Sequence, residues 1–159
     1  MSTELPDAQA DAWAAFRRMS VLLSGRLGRE LARGAGLSEA DYEILTALSL
    51  SPGERVRALA LRCGLDWEKS RLSHQLRRME QRGLVVRDAC PEDSRGSVVS
   101  LSPAGREAVE KGRRVHDDVV RHYLVDALTA EQLATLGEVA AAVVAALDGR
   151  SPDAPAAVD

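Results

Sequence analysis

The chain has 159 residues, with 21 Lys and Arg against 24 Asp and Glu, a formal charge of −3. That length suits one domain able to bury a proper core, and 45% hydrophobic with 28% charged residues excludes a mostly disordered chain. No apolar run approaches the roughly 18–20 residues that a membrane span needs. The segment Met1–Asp11 carries Glu4, Asp7 and Asp11 and no basic residue. It lacks the basic start of a signal peptide, so a cytoplasmic protein is expected. Two cysteines, Cys63 and Cys90, are too few for a disulfide framework and are expected as free thiols.

In chain order, Trp13, Phe16, Leu23, Leu27 and Leu31, with Ser20 in step, recur at helical spacing between Pro6 and Arg33. At about 1.5 Å per residue that helix is about 40 Å long, more than one small core covers, so part of its stripe should meet another subunit. Gly34-Ala35-Gly36 ends it. Ser38 with Asp41 marks a capped start for a helix Glu39 to Leu50 carrying Tyr42, Leu45 and Leu48. A loop at residues 51–54 leads to a short helix near Arg57 to Cys63, with Val56, Leu59, Ala60 and Cys63 on its expected inner face and Gly64 as its stop. On that reading Cys63 is a small buried hydrophobe. Asp66 is the expected N-cap of a helix Trp67 to Arg82, closed by Gly83.

Two β-branched runs follow, Leu84 to Arg87 and Ser97 to Leu101, around a turn-rich stretch 88–96. They predict a β-hairpin with a long polar tip. Ser102-Pro103 opens a helix reaching about Leu124, and Thr129 with Gln132 forms a capping box for a last helix bearing Leu133, Leu136, Ala140, Val143 and Leu147. The tail has no apolar period and is expected to be disordered.

The net charge hides an asymmetry. Residues 55–96 hold ten basic and six acidic residues, a net of +4, which leaves −7 elsewhere. A localised basic footprint suits a polyanion, the bland alternative being an ordinary solvated arginine face. The helical wheel of Trp67–Arg82 favours the polyanion. Leu72, Leu76 and Met79 form a narrow apolar stripe, whereas Ser70, His74, Arg77 and Gln81 lie opposite, flanked by Trp67, Ser73 and Arg78. Such side chains suit base edges and phosphates in a major groove, and a merely solvated helix would more often alternate Glu with Lys.

Short helix, turn, basic helix and hairpin is the order of a winged helix-turn-helix. Leu59-Ala60-Leu61-Arg62-Cys63-Gly64-Leu65 resembles the pattern L-A-x-R-L-G-L, and Lys69 to Val85 resembles a recognition helix entering its wing. Asp93-Ser94-Arg95 and Leu101-Ser102-Pro103-Ala104-Gly105 are similar to the D-x-R and L-T-x-x-G motifs of the MarR (multiple antibiotic resistance regulator) family of transcriptional regulators. The resemblance covers about residues 10–148. It departs from the family pattern at Arg57, where Ser or Thr is common, at Cys63, where Leu is usual, and at Trp67-Glu68-Lys69, about two residues longer.

The resemblance implies a mainly α fold with a small β-hairpin wing. The domain would span 7–148, its winged DNA-binding core about 39–101 between dimerisation helices at about 7–33 and 103–147, with a tail at 149–159. It implies a homodimeric, sequence-specific regulator of double-stranded DNA, most simply a repressor released by a small-molecule effector. Long termini with apolar stripes and half-sites about 10 bp apart agree with a two-fold dimer. The expected DNA-binding residues are Arg57, Lys69, Ser70, Arg71, Ser73, His74, Arg77 and Arg78. In the wing, the resemblance puts Arg95 in the minor groove with Asp93 orienting it. Trp67 is expected chiefly to pack.

Rival readings are weaker. A winged-helix assembly module would put an acidic protein against the basic face, and the Ser, His, Arg and Gln composition argues against it. RNA binding by stacking is disfavoured by 3% aromatic residues. His116 and His122 stand about 240° apart on a helix and cannot share a metal, and no cofactor or catalytic motif is present, so no enzyme is expected. Peroxide-sensing members of the family place their reactive cysteine in the first helix, which has none here, so a sensing role for Cys90 is disfavoured. Trp13, Arg17, Tyr42 and His116 are conceivable effector contacts that the sequence does not bring together.

Overall fold

The computed structural model describes residues 5–90 and 93–149, without the side chains of 90 and 93–95. Its contacts divide the chain into one unit through Val119 and another from Val120. Helix α1 (Asp7–Ala35) ends on Gly36, which takes the left-handed conformation (φ 67°) that glycine adopts without steric cost. Burial rises along its expected stripe. Trp13 and Phe16 are exposed, Leu23 and Leu27 half-buried, and Leu31 fully buried. Helix α2 (Glu39–Ser49) starts on the expected capping box, in which Asp41 N–H donates to Ser38 Oγ and Ser38 N–H to the Asp41 carboxylate.

The next segment corrects the sequence reading in three places. After a 3₁₀ turn at Pro52–Glu54, residues Arg55–Arg57 form a short strand, β1, so the sheet has three strands. Helix α3 (Ala58–Leu65) runs through Gly64, and the residue that stops it is Asp66, left-handed at φ 53°. Aspartate tolerates that conformation, and the Asp66 and Trp67 amides donate back to Cys63 and Arg62. The inner face of α3 is also turned from the expected one. Leu61 is its buried residue, with Ala58 and Leu65 half-buried, whereas Leu59 is 63% exposed and the Cys63 thiol is exposed rather than buried.

Helix α4 (Lys69–Gln81) is shorter than the expected 67–82, and Glu68, not Asp66, holds its N-cap position without a side-chain cap. The reason is Trp67. Its ring is drawn into the core at 8% exposure, which keeps that residue out of the helix. The two extra residues noted against the family pattern therefore lengthen the turn. Gly83 (φ 71°) closes α4 as expected.

Strands β2 (Val85–Cys90) and β3 (Asp93–Leu101) are longer than the runs read from sequence, with pairing that enters 88–96 at Asp88 and Ala89 and resumes at Cys90 opposite Asp93, past an irregularity between Ala89 and Cys90. The sheet is antiparallel in the order β1-β3-β2. One core joins Leu37 and α2's Ile44, Leu45 and Leu48 to Leu61, Trp67, Leu72, Leu76, Met79, Val85, Val99 and Val109.

Helix α5 (Pro103–Val120) begins where Ser102 Oγ accepts from Gly105 N–H and donates to the Gly83 carbonyl. Gly105 is required by contact rather than by conformation, because a Cβ there would collide with the carbonyl oxygen of Leu84. Beyond Val120 the expected continuation to Leu124 is a π-helical turn, Arg121–Val125. In the second unit α6 (Ala130–Leu147) has the expected Thr129–Gln132 capping box and buries no residue. By length and average apolarity α6 also suits a membrane crossing, which corrects the expectation that no apolar segment approaches that length. Its Ala and Val residues raise the average, while Glu131, Gln132 and Glu138 interrupt the run. Beyond Gly149 the expected disordered tail lies outside the described residues.

Candidate nucleic-acid interface

Helix α4 has two chemically opposite sides. Leu72, Leu76 and Met79 are buried, as the wheel requires, and Gln75 is buried beside them. Ser70, His74, Arg77, Arg78 and Gln81 are exposed. Ser70, His74, Arg77 and Gln81 recur at four- and three-residue steps, so they share one outward row. No carboxylate interrupts it, since Glu80 falls off the row. Lys69, exposed, and Ser73, half-buried, lie on the flank toward α3 and the sheet, where with Arg62 and Arg87 they line an open groove of about 350 Å³ floored by Leu72 and Leu76.

Arg71 occupies the other flank. Its guanidinium lies 3.8 Å from the centre of the Trp67 ring, a cation–π contact on a core tryptophan. Glu43 of α2 has its carboxyl pushed up by burial, opposed by the positive charge of Arg71 and reinforced by Glu39. Arg71 is therefore held at the α2 side of the helix and is apart from the outward row. Arg57 is exposed at the end of β1, opposite Val98, and stands at the N-cap position of α3 without a side-chain cap. The backbone of Asp93 and Arg95 belongs to β3, and their side chains, with that of Cys90, lie outside the described residues.

Sequence reasoning missed the residues that hold α4 in place. Gln75 stands inside the apolar stripe and Arg82 was counted in the basic footprint, yet both are bonded to the carboxylate of Asp41. A polar residue at a stripe position is itself a signal of a buried partner. Of the conceivable effector contacts, Tyr42 and His116 stack at 5.2 Å between centroids, and burial pushes the Tyr42 hydroxyl up from its ordinary value. Trp13 stacks instead on Phe16 at 5.7 Å, with Arg17 at 6.0 Å.

Comparison with known proteins gives consistent matches. A family model described as MarR family matches residues 35–96. The crystal structure of AbsC, a MarR family transcriptional regulator from Streptomyces coelicolor, is 36% identical with a TM-score of 0.86, covering 94% of this chain and 100% of that one. Sco3205, a MarR family transcriptional regulator from the same organism solved in complex with DNA, is 34% identical with a TM-score of 0.87, covering 92% of each chain. The uncharacterized HTH-type transcriptional regulator YdgJ of Bacillus subtilis (strain 168) is 26% identical over 67% of this chain. The chain spans 63% of that protein's length, and 57% of that of a second curated relative, from Thauera aromatica.

Proposed function

This chain belongs to the MarR family of transcriptional regulators, and on that premise we propose that it is a homodimeric, sequence-specific DNA-binding repressor of transcription, released by a small-molecule effector. The observation that carries the reading is the outward row of α4. Ser70, His74, Arg77 and Gln81 are exposed and directed away from the buried Leu72, Leu76 and Met79. In a major groove Arg77 can donate two hydrogen bonds to guanine, and Ser70 and His74 suit base edges or phosphates. Lys69, Arg71, Ser73, Arg78 and Arg57 serve the flanking backbone, and phosphate contacts of that kind set position rather than sequence. Arg95 in the minor groove, oriented by Asp93, extends the contact from the wing.

The dimer has its own support. Trp13, Phe16, Met19 and Leu22 of α1 are exposed, as are Val139, Val143, Val144 and Leu147 of α6. Monomeric soluble proteins rarely leave such apolar surface to water, and a second copy is the partner that the fold offers. The domain then runs 7–148, with α1, α5 and α6 dimerising and about 39–101 reading DNA. Glu131 and Glu138 would be costly in a bilayer, so α6 is assigned to the dimer rather than to a membrane. As a DNA-binding regulator the protein acts in the cytoplasm and not as an enzyme. The effector shifts the equilibrium only through differential affinity for the dimer geometry that does not fit DNA. The assembly-module alternative has no observation in its favour.

Selecting duplexes from a random pool with the full chain tests the proposal. Enrichment of a pseudo-palindrome with half-sites about 10 bp apart is expected. If the protein makes six to ten phosphate contacts, affinity falls by roughly 10³–10⁵ between 50 and 200 mM salt. No enriched sequence, or binding indifferent to salt, would overturn the assignment.

A further inference from the structure

The carboxylate of Asp41 is 1% exposed and accepts three hydrogen bonds: from Gln75 Nε2 at 2.7 Å, from Arg82 Nη1 at 2.7 Å and from the Ser38 N–H at 2.9 Å. The other terminal nitrogen of Arg82 donates to the carbonyl of Gly36 at 2.7 Å, on the residue that caps α1. One arginine therefore touches the end of α1, the start of α2 and its own position at the end of α4. Gln75 holds the same carboxylate from the middle of α4. Burial opposes ionisation of Asp41, but the hydrogen bonds from Arg82 and Ser38 and the charge of Arg82 outweigh it and hold the carboxyl below its ordinary value.

Apolar contact through Leu72, Leu76 and Met79 is non-directional and defines the rotation and axial position of α4 less sharply than a directed bond does. Hydrogen bonds are directional. Gln75 and Arg82 are seven residues apart, about 10 Å along the helix axis, so bonds at both points set rotation and axial register together. The base-facing row of α4 inherits that setting.

We propose that Arg82, with Asp41 and Gln75, is a positioning residue that fixes the recognition helix against the α1–α2 corner, and that it makes no contact with the DNA backbone. This role rests on the reading of α4 as a DNA-reading helix. It separates Arg82, exposed along its stem but with its guanidinium bonded to Asp41 and Gly36, from Arg77 and Arg78, which belong to the same basic footprint by sequence and are exposed on the outer side.

The test uses the dimer of this chain with the selected duplex and a shuffled duplex of equal length, titrated across salt. Arg82→Gln removes the charge and keeps a polar side chain. Its affinity for the selected duplex should fall about tenfold while that for the shuffled duplex changes less than about twofold, with the slope of log K against log salt unchanged. Arg82→Lys, which can reach only one of the two acceptors, should fall between Gln and wild type. Gln75→Met, similar in volume and leaving the Arg82 pair intact, should show a smaller loss of the same kind with thermal unfolding still cooperative. A loss shared equally by both duplexes, with the salt slope reduced by about one, would make Arg82 a phosphate contact and overturn the proposal. Unchanged preference in Arg82→Gln would overturn it too. A wild-type chain that prefers no duplex would instead overturn the functional reading, and this role with it.

Discussion

Helices α4 and α6 solve opposite problems. The thirteen residues of α4 place Leu72, Gln75, Leu76 and Met79 inside the core of the same chain and leave a polar row outside. The eighteen residues of α6 bury nothing, and Val143, on the stripe read from sequence, is 54% exposed. A helix with a finished inner face is stable within one chain and has its outer face free for a ligand. A helix with apolar surface and no cover owes its stability to a second copy in the proposed dimer. The proposed reading head and the proposed dimerising element should therefore fail in different ways.

The largest effect is expected inside α4. Leu76→Ala removes a fully buried side chain and should lower the unfolding free energy by about 3 kcal/mol, seen as a reduced urea midpoint with unchanged slope. Next, Val143→Asp should raise the dimer dissociation constant about 100-fold, close to 2.7 kcal/mol, by sedimentation, while in a Trp13→Phe background the fluorescence of the core Trp67 reports a packed reading head. Equal loss of core packing in both variants would erase the distinction between the two helices. Arg77→Ala is smaller again. Stability should change by less than about 0.5 kcal/mol, whereas affinity for the selected duplex should fall about tenfold with relaxed preference at one base position.

Much of this division was legible in the sequence, and the exceptions have physical causes. The caps at Ser38 and Thr129, the stop at Gly83 and the stripe Leu72-Leu76-Met79 are local signals, and the structure carries each of them. The outward placement of Ser70, His74 and Arg77 followed from helical period alone. The errors cluster where tertiary contact overrides a local preference. Gly64 suggested a helix stop, but Asp66 could take the left-handed position, and burying Trp67 moved the start of α4 to Lys69. β1 is three residues long and exists only through its pairing with β3, which no local pattern encodes. The Asp41 network joins residues 34 and 41 positions apart, beyond the reach of any helical period. Gln75 within the stripe was its one visible trace.

That network gives the smallest and most selective test of how α4 is held. Because the Asp41 carboxyl lies below its ordinary value in the folded chain, ionised Asp41 stabilises the fold above its unfolded pKa, about 3.9, and that contribution is lost as pH falls through the folded value. Asp41→Asn keeps an acceptor for Gln75 but turns an amide N–H toward the donors of Ser38 and Arg82. The wild type should be the more stable of the two at pH 6–7 in urea titrations, and the gap should close progressively below about pH 4 as Asp41 is protonated. The exposed Glu54–Arg106 pair also holds its carboxyl below the ordinary value, through the hydrogen bond from Arg106, but it is present in both proteins and cancels from the difference. A gap constant from pH 6 to pH 3 would mean that packing alone seats α4, and that its inner face is finished by Leu72, Leu76 and Met79 without the charge beside them.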